Sequence, residues 1–155
     1  MSKSPAGSAN GMTIVALIPH RKGMLLIDRI LALSEQSASA ETVVRAHWPT
    51  ARADGVDALV LIELVAQTAG LSVGWKVKQR GAKGDAQQGR GWMVGVKHAG
   101  FKVDPIALGT RLIVETRVAF EFEQLTEISG VILSDDAAMA EVRLQVVHEE
   151  PVKTD

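Results

Sequence analysis

The sequence predicts an α+β domain in which a curved antiparallel sheet wraps one long central helix. Three patterns carry that prediction. Residues 58–75 are apolar nearly all the way round at helical period, so a helix there must be buried on most sides. Residues 111–123 alternate. Leu112, Val114, Thr116, Val118, Phe120 and Phe122 take one face, and Glu115, Arg117, Glu121 and Glu123 the other. That is the period of a strand with one dry and one wet face. Residues 138–148 repeat it, with Ala140, Val142, Leu144 and Val146 opposite Glu141, Arg143 and Gln145. A helix with so little polar surface needs a sheet that curves around it.

The elements follow in order. Residues 1–11 are rich in Ser, Ala and Gly and read as a disordered tail. Residues 12–19 form a short apolar segment that packs on the body, and a turn follows at 19–23. An apolar run at 24–33 contains Asp28 and Arg29. Residues 41–48, with adjacent Val43 and Val44, read as a strand ended by Pro49. A loop at 50–57 leads to Asp57, whose carboxylate suits the helix N-cap. The Gly-, Lys- and Gln-rich stretch 79–91 reads as a flexible connection, with a lid as the alternative. Strands are predicted at 92–96, 111–123, 127–133 and 138–148, followed by a polar tail at 149–155. The body, residues 12–148, is one domain.

Composition narrows the function. A chain of 155 residues supports one secure core rather than two. Its net charge of -1 argues against nucleic acid, whose binders carry a basic excess. Absence of cysteine removes disulfides, a thiol nucleophile and thiolate metal sites. The N-terminus lacks the apolar centre of a signal peptide. The longest apolar stretch, 59–73, is interrupted by Glu63, Gln67, Thr68 and Ser72, against the roughly 20 apolar residues a membrane span needs. The expectation is a soluble, cytoplasmic protein without a membrane span. No phosphate-binding glycine loop or serine nucleophile elbow is present.

The predicted helix carries an unusual stripe. Glu63 and Gln67 are four residues apart, and Gly70 and Gly74 continue the same face. A carboxylate on a buried helix is costly unless it is partnered. A helix-interior glycine costs about 1 kcal/mol. The stripe therefore marks a close approach, either of another backbone or of a ligand in a narrow channel. Four histidines are available, His20, His47, His98 and His148. His148 reads as solvated, His20 as a turn residue. No two share the i, i+4 spacing of a zinc helix, so no metal is expected. A histidine and a carboxyl group meeting in one pocket can move protons without a metal or nucleophile.

Three segments resemble the hot-dog-fold 3-hydroxyacyl-acyl carrier protein dehydratases. The first is Ile18-Pro19-His20-Arg21-Lys22-Gly23-Met24-Leu25-Leu26-Ile27-Asp28-Arg29-Ile30. The second is Ala46-His47-Trp48-Pro49, followed by Leu61-Ile62-Glu63-Leu64-Val65-Ala66-Gln67. The third runs from Gly95 through Lys97, His98, Phe101 and Pro105 to Ile106, then Gly109-Thr110-Arg111-Leu112. Together they span residues 18–147 in the family's order.

The resemblance implies a hot-dog fold, a dimer or larger homo-oligomer, and an active site at the subunit interface. By analogy His47 removes the proton beside a thioester carbonyl. Glu63 of the other subunit protonates the departing β-hydroxyl. Backbone amides at Asp57 and Ala58 polarise the thioester carbonyl. Trp48, Gln67, Gly70 and Gly95 border an acyl channel. The substrate is carried on acyl carrier protein or coenzyme A, and no cofactor is needed. Two departures stand out. Thr50 replaces the family's glycine after the His47 motif, and Ala58 replaces its glycine at the helix start. These changes resemble a divergent branch found in aryl polyene and other specialised lipid pathways, whose members can work as partners of a second hot-dog subunit. The alternatives are a hot-dog thioesterase, in which Glu63 activates water, and a non-catalytic partner subunit.

Overall fold

The computed structural model describes residues 14–19, 22–79 and 91–148. The two predicted tails, His20 and nearly all of the predicted 79–91 connection lie outside them. The chain order is α1 (Ile14–Leu17), a 3-10 turn at Lys22–Met24, β1 (Arg29–Leu33), β2 (Ser37–Val43), β3 (Ala51–Arg52) and β4 (Gly55–Val56). Then come α2 (Val60–Gln79), β5 (Gly91–Phe101), β6 (Arg111–Phe122), β7 (Leu125–Ser134) and β8 (Ala137–His148). Six strands make one antiparallel sheet in the order β1-β2-β6-β7-β8-β5, and β3 and β4 form a small separate hairpin.

The sheet's inner face is set by register. Ala40 lies opposite Val114, Val114 opposite Ile132, and Ile132 opposite Ala140, so one buried row crosses four strands. Leu61, Leu64, Val65 and Leu71 of α2 are wholly buried in the same cluster. Gly130 on β7 lies directly under Val65, and a Cβ there would overlap the valine methyls. The helix is long and apolar enough to cross a membrane, yet more than half of it is buried inside the domain, as core-helix burial predicts. At β7–β8 the turn residues Asp135 and Asp136 both have positive φ, the signature of a two-residue hairpin of matching twist.

The stripe of small residues on α2 receives a backbone. Ile18 lies over Gly70, at 3.1 Å from where a Cβ would sit, and the Leu17 carbonyl lies over Gly74. Of the two readings of that stripe, close approach of another segment is the one found at these glycines. Leu17 and Ile18 therefore cover the side of the helix that carries Gly70 and Gly74.

Several boundaries differ from the sequence prediction. The second strand is Ser37–Val43, not 41–48. Its buried positions are Ala38, Ala40 and Thr42, small enough that Ser-Ala-Ser-Ala gives no apolar signal. It ends because Val44 leaves the sheet, with its N–H donating to the Thr110 carbonyl and its carbonyl accepting from Gly109. The helix runs one turn past Trp75, with Lys76 and Lys78 in the last turn, where they suit its negative end. β5 extends to Phe101, five residues beyond the predicted end, across glycines and charges.

The largest correction concerns β6. Phe120 and Phe122 were predicted on the buried face, but they are 54% and 61% exposed. Between Val118 and Phe120 the strand holds one residue more than β7 opposite, a β-bulge at Ala119. Side-chain parity inverts there. Val118 still pairs with inward Ile128, but beyond the bulge Glu121 pairs with buried Thr126, and the phenylalanines turn out. His148, read as solvated, is only partly exposed, and burial holds its imidazole below the usual 6.5.

Candidate functional site

The site is assembled at the start of α2. The first helical turn is capped twice by carboxylates. The Asp57 carboxylate accepts from Leu59 N–H at 2.9 Å, as an N-cap residue does. The carboxylate of Asp104, from the β5–β6 connection, accepts from Ala58 N–H at 3.1 Å. Two backbone bonds of 2.9 Å between Val56 and Ile106 hold that connection beside the helix start. Gly55 permits this, because a Cβ there would collide with the Ile106 carbonyl and its φ of 140° is open to glycine alone. The Asp57 N–H donates to the Thr50 carbonyl at 3.3 Å, so the two amides expected to polarise a thioester, those of Asp57 and Ala58, are already hydrogen-bonded within the chain.

One turn further on, Glu63 is partly exposed on the side of the helix facing away from the sheet. Its Oε1 accepts from Gln67 Nε2 at 2.9 Å. Gln67 is fully buried and saturated: Nε2 also donates to the Met24 carbonyl at 2.7 Å, and Oε1 accepts from Leu26 N–H at 2.9 Å. An amide used at both ends is a rigid strut, since a buried polar group left unpaired is expensive. Gln67 thus orients Glu63 and ties the 24–26 segment to the helix.

The same network continues to the turn that bears His47. Thr42 Oγ1 donates to the Leu26 carbonyl. Asp28 accepts from Val43 N–H at 3.0 Å and from Arg45 Nη1 at 2.7 Å. Trp48 N–H donates to the Arg45 carbonyl at 3.1 Å, closing a turn. Trp48 is 3% exposed and anchors that turn in the core, while His47 beside it is exposed. Thr50 ends the turn at φ 67°, a backbone conformation that suits glycine best. His47 sits in this turn rather than at a strand end, because β2 stops at Val43.

The predicted site residues therefore divide. Within one chain no hydrogen bond joins His47 to Glu63 among the described residues, although the chain of bonds through Gln67, Thr42 and Asp28 connects the elements that carry them. Gln67 and Trp48, expected on a channel wall, are buried packing and bracing residues. Gly70 is covered by Ile18 rather than open to a channel. Gly95 lies on β5, the edge strand, partly exposed. Sequence reasoning missed Asp28, Arg45 and Asp104. The pair Asp28 and Arg29 inside an apolar run was the available signal for the first; nothing local marks Asp104, whose partner is 46 residues away. Among the described residues no group of three or more metal-ligating side chains converges. The arrangement offers an exposed imidazole and a braced carboxyl group, suited to proton transfer.

Comparison with known proteins identifies the family and the fold. A family model described as ApeP-like, ApeP dehydratase, matches residues 12–154. The 3-hydroxyacyl-[acyl-carrier-protein] dehydratases FabZ of Thermotoga petrophila and Thermotoga maritima are each 28% identical over 138 residues, covering 84% of this chain and 91% of the relative. Among solved structures, the dehydratase heterocomplex ApeI:P from Xenorhabdus doucetiae superposes with a TM-score of 0.79 at 19% identity, over 92% of this chain and 94% of the other. A hypothetical thioesterase with coenzyme A from Streptococcus pneumoniae superposes with a TM-score of 0.61 at 11% identity, over 78% and 84%. The shared architecture is the hot-dog fold.

Proposed function

The chain belongs to the ApeP-like dehydratase family, and from that membership we propose that it dehydrates a 3-hydroxyacyl thioester, held on acyl carrier protein or coenzyme A, to the trans-2-enoyl thioester. The observation that carries the reading is the braced Glu63: a partly exposed carboxyl group on an otherwise buried helix, held in one orientation by a saturated amide. His47 removes the proton next to the thioester carbonyl. Glu63 delivers a proton to the β-hydroxyl, which leaves as water, and the double bond forms between the two carbons.

The two groups meet across a pair of subunits. β5 is an edge strand of eleven residues, and Met93, Val94 and Val96 on it are 48%, 58% and 44% exposed. A long apolar edge invites pairing with another strand. Pairing β5 with its counterpart in a second subunit continues the sheet and brings His47 to Glu63 of the partner subunit. The protein is expected to work in the cytoplasm. Hydration of a trans-2-enoyl thioester, followed as loss of conjugated absorbance, tests the reaction. No turnover with several chain lengths at high enzyme concentration refutes it. Release of free thiol instead identifies the thioesterase.

One observation favours a second reading, a subunit that turns over only beside a different hot-dog chain. The Ala58 N–H, expected to polarise the thioester, is held by Asp104. Activity that appears only on mixing with a second hot-dog protein supports this reading.

A further inference from the structure

A second concavity lies on the other side of α2. It is a cleft of about 300 Å³ between the C-terminal half of the helix and the ends of β6 and β7. Its walls are mainly apolar, with Ala69, Val73 and Val77 from the helix and Val118 and Ile128 from the strands, and the strands also contribute Thr116 and Thr126. Ser72 also lines it. That residue is 4% exposed, and its Oγ is buried without a hydrogen-bond partner among the described residues. A helix serine commonly bonds back to a carbonyl one turn earlier; this one does not.

The cleft is separate from the candidate active site. Ser72 and Glu63 are nine residues apart, and at 100° per residue they point in opposite directions from the helix axis. Glu63 faces the segment leading to His47; Ser72 faces the sheet. A ligand in the cleft is divided from Glu63 by the helix itself.

We propose that this cleft is a binding site for an uncharged, mainly apolar molecule bearing one hydrogen-bonding oxygen, such as a medium-chain alcohol or ketone. The volume holds about ten groups of water or methylene size. The Ser72 hydroxyl, which can both donate and accept and has no partner among the described residues, supplies the polar contact on the helix side, and the Thr126 hydroxyl lies on the strand side. The rim selects against anions. Three carboxylates, Glu35, Glu121 and Glu123, outnumber two cations, Lys76 and Arg117, and Lys76 is engaged by Glu121 at 4.0 Å. His148, also on the rim, is neutral at pH 7 because burial lowers its affinity for a proton. A fatty carboxylate therefore meets net negative charge. The site does not depend on the dehydratase reading.

The test uses the full chain and N-phenyl-1-naphthylamine, an uncharged dye that fluoresces in apolar surroundings. Saturable binding at one site per chain is expected, with displacement by 1-decanol and at least tenfold weaker displacement by decanoate. Ser72→Ala weakens 1-decanol by about 3- to 10-fold, the worth of one neutral hydrogen bond. Val73→Trp fills the cleft and abolishes dye binding; Val77→Trp, nearer the mouth, serves if that variant fails to fold. Saturating 1-decanol leaves enoyl-thioester turnover unchanged. Absence of saturable binding, undiminished binding in a folded filled variant, equal displacement by decanoate, or displacement of the dye by the enoyl thioester each overturns the proposal.

Discussion

Replacing Gln67 by Leu tests whether this residue is the brace described above. The side chains are similar in size, so packing changes little. The cost lies in three orphaned groups. Leu26 is 1% exposed, so water cannot reach its N–H once Oε1 is gone, and a buried unpaired donor costs about 1–3 kcal/mol. Met24 is 55% exposed and its carbonyl regains water at little cost. Glu63 is partly exposed, so loss of its donor is worth less than about 1 kcal/mol. Burying leucine in place of an amide returns about 1 kcal/mol. The net is a destabilisation of about 1.5 kcal/mol. In urea, with a slope near 2 kcal/mol per molar, the midpoint falls by about 0.7 M without a change in slope. Gln67→Glu keeps an acceptor for Leu26 but sets a buried carboxyl group against the Met24 carbonyl and Glu63, so it destabilises the fold more than Gln67→Leu. A Gln67→Leu midpoint within about 0.2 M of wild type refutes the strut.

Four other outcomes are expected. His47→Ala and Glu63→Gln each lower enoyl-thioester turnover by about 10²- to 10⁴-fold with the unfolding midpoint nearly unchanged. If subunits exchange freely, mixing the two dead variants restores about a quarter of wild-type activity, because half of the dimers are mixed and each has one intact site; no recovery places both groups in one subunit. Asp104→Ala loses a helix cap, about 1 kcal/mol by thermal or urea unfolding, and frees the Ala58 N–H; kcat/KM rises if that amide serves the thioester and stays level if it does not. Gly74→Ala forces a methyl against the Leu17 backbone, which cannot rotate aside, and destabilises the fold by about 1–3 kcal/mol in urea unfolding. His148 gives a pH signature. Burial, opposed by Glu121 and aided by Lys76, keeps its folded pKa below 6.5. Well above pH 6.5 the imidazole is neutral in both states. As pH falls below 6.5 the unfolded chain takes up a proton that the folded chain resists, so stability declines until the folded pKa is passed. His148→Gln flattens that slope in urea titrations across pH 5 to 8.

The parts of this fold that were readable share one property: their burial is written in consecutive side chains. The helix announced itself because apolar residues surround it, and β8 because Ala140, Val142 and Leu144 alternate with charges. β2 was misplaced because its buried positions are alanines and a threonine. β5 was cut short because an edge strand can carry glycine, lysine and histidine without a dry face. The two-residue strands β3 and β4 are too short to show a period. His47 and Glu63 became candidates through their motifs; chemistry alone left them among several histidines and acids. What no local pattern could show is pairing over distance, such as Asp104 with Ala58 or Gln67 with Leu26.

The extra residue in β6 decides whether the end of the domain is solid or hollow. Were β7 to gain a residue opposite Ala119, the bulge would disappear and β6 would keep its parity, so Phe120 and Phe122 would swing inward towards the space that Glu121 and Glu123 now line. Two aromatic plugs would replace two acids at one stroke. Gain of one codon in β7, rather than any exchange of side chains, is therefore the shortest evolutionary step from the open to an occluded version of this architecture.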